Sequence, residues 1–118
     1  MKFIEHHVNS SKVVEVVSDK IVINSEQDAL DIMANIGYQF DCSKIIMHKN
    51  NISEDFFKLS TGLAGSVLQK FSNYKVQLAI IGNQSTNSKS LNNFIIESNR
   101  NKQIIFTDTI SDALSGLI

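Results

Sequence analysis

The chain has no proline, only five glycines in 118 residues, and a single cysteine. With proline absent, glycine scarce and polar clusters short, no segment reads as a linker, and a length of this order fits one domain, residues 1–118. Cys42 alone cannot close an internal disulfide, so a reducing cytoplasm is the simplest home for it. No apolar run approaches the ~20 residues that a membrane span requires. The opening residues, MKFIEHHVNSSK, lack the apolar core and small-residue cleavage site of a secretory signal. A net charge of -1 offers no basic face for nucleic acid, and no polybasic run suits an anionic membrane surface. The composition therefore leaves proteins and small molecules as the expected partners. A chain of this size should bury above ~60% of the surface its unfolded form exposes, which is enough for an unstapled core.

What is present is an alternation of strand and helix. Phe3–Val8 and Lys12–Val17 are β-rich runs joined by Asn9-Ser10-Ser11, a loop of hairpin length. VVEVV is nearly continuous in branched residues, as in a strand covered on both faces. A short extended piece, Lys20–Ile23, precedes NSEQDALDIMANIGY, where Ser25 and Asp28 make an N-terminal cap. Ala29, Ile32, Met33 and Ile36 then share a face, with Gly37 as the expected stop. KIIM and KVQLAIIG are buried strands on either side of a second helix that carries Leu63, Val67 and Phe71 on one side, and Ser53-Glu54-Asp55 supply a further start signal. Leu91, Phe94, Ile95 and Ser98 trace a third helix. QIIF forms the last strand, and Ile110, Ala113, Leu114 and Leu117 line a fourth helix. The expectation is an α/β domain: an N-terminal hairpin and then parallel βαβ units, giving a mixed sheet of four to five strands with about four helices.

Few residues offer chemistry. GLAGSVLQK lacks the Gly-Lys-Ser/Thr ending of a phosphate loop, so Gly62 and Gly65 read as close-packing positions on a helix face. His6 and His7 are adjacent and on a strand point to opposite faces, while His48 lies on another segment; no metal site is expected. Cys42 has no evident activating histidine and reads as a structural thiol. Ser60 stands in no Gly-x-Ser-x-Gly setting. Glu54 and Asp55 are neighbours rather than a facing acid–base pair, and suit the positive end of a helix. No catalytic constellation and no cofactor are expected. For a small ligand, the rule for open α/β sheets points outside the carboxyl ends of the parallel strands. There His48, Asn83, Ser85, Ser88 and Asp108 are the candidate contacts.

The order of elements, together with Leu59-Ser60-Thr61-Gly62-Leu63 at the start of the second helix, resembles the STAS domain of anti-sigma-factor antagonists and sulfate-transporter tails. VVEVVSDKIVINSEQDALDIM is similar to that domain's passage from second strand to first helix. DALDIMANIGYQ and FFKLSTGLAGSVLQKFSNYKVQLAIIG look like an uncharacterised bacterial family of small STAS-like proteins. The resemblance implies a regulatory module that acts by protein contact. A hydroxyl at Ser60 or Thr61 would be phosphorylated by a partner kinase, with Gly62 and Leu63 shaping the turn and Leu59 standing where the family commonly has aspartate. The contact surface would include Phe56, Phe57, Lys58 and Ser66. Beside that implication stands the ordinary reading of serine or threonine before a helix, which is a cap. A homodimer through a sheet edge or helix face is a further expectation.

Overall fold

The computed structural model describes residues 1–83 and 88–118. Among these, the strands are β1 (Lys2–Val8), β2 (Ser11–Val17), β3 (Lys44–His48), β4 (Gln77–Ile81) and β5 (Ile104–Thr107). The α-helices are α1 (Glu26–Phe40), α2 (Leu63–Asn73), α3 (Lys89–Asn101) and α4 (Ile110–Leu117). β1 runs antiparallel to β2 in a hairpin that pairs Lys2 with Val17 and Val8 with Ser11. β2 through β5 are parallel, so the sheet is mixed, as expected.

Order in the sheet is order in the chain, β1-β2-β3-β4-β5. Three successive right-handed crossovers in one direction must leave their helices on one face. The main core follows: Val14, Val16, Ile45, Met47, Leu78, Ile80, Ile104 and Phe106 point toward Ala29, Ile32 and Ile36 of α1 and Ala64, Val67 and Phe71 of α2, with Phe94 and Ile95 of α3 packed against them. The alternate strand residues face the other way. There Val13, Ile46, Ala79 and Ile105 form a smaller cluster with Ala113 and Leu117 of α4.

Local starts match their chemistry. The Ser25 hydroxyl accepts from the Asp28 N–H at 3.2 Å, and the Asp28 carboxylate accepts from the Asn24 N–H at 2.9 Å. Two expectations are corrected. Gly37 does not end α1: the helix continues to Phe40, whose ring meets Phe3 edge-on at 5.7 Å, and Asp41 makes the left-handed exit at φ 49°. That aromatic contact anchors the final turn, and glycine is tolerated inside it. Gly65 is not a packing position, for it is exposed and a Cβ there would meet nothing within 4 Å. Gly62 precedes α2 in the left-handed region at φ 78°, so its role is conformational.

The connection from β3 to α2 is built from three 3-10 turns, Lys49–Asn51, Glu54–Phe57 and Leu59–Thr61. Buried Asn51 ties it to the connection leaving β2. Its side-chain amide donates to the carbonyls of Ser18 and Lys20, both at 2.8 Å. Its own carbonyl accepts from the N–H groups of Val22 and Ile23, and the Ser53 N–H donates to the Ile23 carbonyl at 2.9 Å. Ile23 and Ile52 thereby form an isolated parallel bridge beyond the sheet proper.

Candidate functional site

The smaller face of the sheet carries an arrangement that no single segment reveals. Glu15 is the one charged residue within VVEVV, and its backbone register places it beside Ile46 of β3 and Ile4 of β1. His6 of β1 and His48 of β3 project on this same face, one on each side of it. The Glu15 carboxylate is buried, with Oε1 2.9 Å from His6 Nε2 and Oε2 2.6 Å from His48 Nε2. A carboxylate only accepts, so both Nε2 atoms donate and each ring keeps its Nδ1 for other use. Burial by itself raises the Glu15 pKa. The hydrogen bonds from His48 and His6, and then their charge, outweigh that effect and hold the carboxyl below the usual glutamate value.

His48 links this buried pair to the surface. A cleft of about 530 Å³ opens at the carboxyl ends of β3 and β4, lined by His48, Lys49, Asn50, Ile81, Gly82 and Asn83. Two local features shape it. Lys49 begins the 3-10 turn that ends β3, and its ammonium donates to the Asn83 carbonyl at 2.6 Å while lying 5.0 Å from the centre of the Phe57 ring. Gly82 permits the close approach of that turn, since a Cβ at 82 would fall 2.7 Å from Lys49 Cβ. Among the described lining residues there is one fixed cation, one imidazole and two amides, and no carboxylate. Such a lining can hold anions and polar groups by charge and hydrogen bonds.

The candidate residues separate accordingly. His48 and Asn83 meet at the cleft; Ser88 and Asp108 are not among its described lining residues, and Ser85 lies outside the described residues. Ser88 instead caps α3, accepting from the Leu91 N–H at 3.2 Å. Asp108 is exposed beside Thr109, which caps α4. His7 points away from His6 as the strand period requires, and its exposed ring pairs with Glu5 at 3.1 Å. Cys42 is buried, with its sulfur near the carbonyls of Lys12 and Lys44, a structural placement. Among the described residues no group of three or more His, Cys, Asp and Glu is placed to hold a metal ion.

At the second candidate region, Phe56 is corrected from contact to core: it is 1% exposed and packs against Phe57 and Phe106. Phe57 is half-buried under Lys49, Lys58 is exposed, and Ser66 and Leu63 are half-buried. Thr61 and Ser60 part company. The Thr61 hydroxyl sits 2.6 Å from the Asp55 carbonyl and 2.9 Å from the Lys58 carbonyl, and accepts from the Leu63 N–H at 3.3 Å. It braces the turn, whereas Gly62 is the residue that caps α2. Ser60 is exposed, and its hydroxyl makes no hydrogen bond among the described residues.

Residue-by-residue reading of the sequence missed Glu15. Its signal was there: a lone carboxylate at the centre of five otherwise branched residues must find partners once the strand is buried. The two histidines able to satisfy it lie on the strands that flank it.

Among the described residues no helix is long and apolar enough to cross a membrane. No curated protein and no solved structure matches the chain. A family model described as a domain of unknown function, DUF4180, matches residues 8–117, from the end of β1 through α4, and the chain belongs to that family.

Proposed function

We propose that this domain binds a small anionic or strongly polar ligand in the strand-end cleft, with Lys49 and His48 as its principal contacts. One observation carries the reading. At the carboxyl ends of β3 and β4, a cation, an imidazole backed by a buried carboxylate and the amides of Asn50 and Asn83 converge on one concave surface. Open α/β sheets take their ligands outside the carboxyl ends of the strands, most often at a reversal of strand order. This sheet runs in sequential order, and here the cleft lies between the carboxyl ends of two neighbouring strands. A thermal-shift panel of inorganic phosphate, nucleotides and small carboxylates tests it, because a ligand at 100 times its dissociation constant stabilises by ~2.7 kcal/mol. The expected result is a shift with a phosphorylated or carboxylated compound that Lys49→Ala abolishes. A panel without any reproducible shift would remove the reading.

A second reading follows the turn before α2: a STAS-like regulatory module in the cytoplasm that docks a protein partner, with phosphorylation of Ser60 as its switch. It is supported by the division of labour between the two hydroxyls, one engaged in bracing and the other exposed. A phosphate on Ser60 would add about -1.5 to -2 charges beside Lys58 and the first turn of α2. Peptide mass spectrometry of the protein from its own host, in growth and in stress, is expected to find a phosphate on Ser60 whose occupancy changes. An unmodified Ser60 at full coverage in every condition would sink the switch.

A further inference from the structure

We propose that His48 is a phosphoryl acceptor, taking the group on Nδ1 within the strand-end cleft. This rests on the ligand-binding reading and specifies its chemistry. Glu15 Oε2, 2.6 Å from His48 Nε2, fixes a proton on that nitrogen, so that whenever the ring is neutral its lone pair lies on Nδ1. That atom has no hydrogen-bond partner among the described residues, on a side chain that is 38% exposed and lines the cleft. The ring is thus held at one nitrogen and open at the other, the arrangement that an orientated nucleophile needs.

The electrostatics suit the same step. When Nδ1 bonds to phosphorus the imidazole ring gains positive charge. The carboxylate lying against Nε2, on a side chain only 9% exposed, neutralises it. Lys49 supplies the charge that attracts the donor's phosphate oxygens, and no described carboxylate of the lining repels them. The donor is a phosphoramidate or a phosphoric anhydride. The Nδ1 lone pair forms the P–N bond, and the bond from phosphorus to the donor's leaving group breaks, its electron pair departing with that group. The Nε2 proton stays on the ring, and nothing is oxidised or reduced.

Two other histidines serve as internal controls. His7 is more exposed than His48, at 65%, and is paired with Glu5 away from the cleft. His6 shares the Glu15 carboxylate but is only 25% exposed and is absent from the lining. Simple accessibility therefore predicts labelling at His7, whereas the proposed chemistry predicts His48.

The test is incubation of the full chain with phosphoramidate, the label then being located by peptide mass spectrometry under alkaline conditions. Phosphorus NMR of the intact protein distinguishes Nδ1 from Nε2 attachment. The expected result is a base-stable, acid-labile label on His48 Nδ1, with Glu15→Gln lowering the His48-to-His7 labelling ratio at least about tenfold. Circular dichroism of that variant establishes that it folds, and if it does not, the nitrogen labelled in the unaltered protein decides the matter. Label on Nε2 of His48, or labelling of His7 equal to that of His48, overturns the proposal. A thermal shift with inorganic phosphate but no His48 label overturns the acceptor role and leaves the binding role standing; no label together with no shift from any compound of the panel removes both.

Discussion

The two faces of this sheet are made by alternate residues of the same strands, yet they do different work. Toward α1, α2 and α3 each described position of β2 to β5 within the main core is apolar, from Val14 to Phe106. On the opposite face α4 covers the β4 and β5 side with Ala113 and Leu117. Toward β1 the same face turns to chemistry instead: Glu15 beneath His6 and His48, then the cleft. Complete helical cover gives a core that can only be apolar. Partial cover leaves room for polar groups, provided they satisfy one another.

That contrast can be broken in order of force. Phe71→Ala, which empties a fully buried site in the main core, is expected to lower stability by ~3–5 kcal/mol in urea denaturation. Leu117→Ala removes the anchor of α4 on the smaller face and is expected to lower stability by about 2–3 kcal/mol, the lower end of such changes, because a helix of only eight residues can shift to fill part of the void. Equal losses at the two sites would erase the difference in cover between the faces.

The smallest effect separates the polar part. Glu15 has a lowered carboxyl pKa in the folded chain, so the stability it lends is complete above the usual glutamate range and is lost as pH falls through the lowered native value. Between roughly pH 5 and pH 3 the urea midpoint should therefore fall more steeply for the unaltered protein than for Glu15→Gln. Parallel curves would mean that the two histidines do not stabilise the carboxylate.

Much of the fold was legible because it rests on local periodicity. VVEVV, KIIM and the Ala29–Ile36 stripe each declare their element within a few residues, and Ser25 marks the start of α1 within one turn. The end of α1 was not legible, because Phe40 is held by Phe3, a partner near the other end of the hairpin. Gly65 misled for the related reason that a glycine spacing does not say which side of a helix is covered. The location of the cleft followed from topology, and His48 and Asn83 were found there. The Glu15 cluster was hidden because three strands contribute one residue each, and only strand pairing supplies their register. Phe56 and Phe57 show the same limit: both were expected on the contact surface, and only the packing of Phe56 against Phe106 of β5 shows that its ring belongs to the core.

The sequential order of the strands bears on how the chain assembles. No strand has to be threaded between two already in place, so each new strand can add to the edge left by its predecessor while its helix closes over the growing face. Each parallel pairing joins consecutive strands whose partner residues lie 26 to 33 positions apart, so no step has to close a loop longer than one βαβ unit. A nascent chain could thus acquire its main core progressively, whereas the strip over β4 and β5 stays uncovered until Ile110–Leu117 emerges and docks.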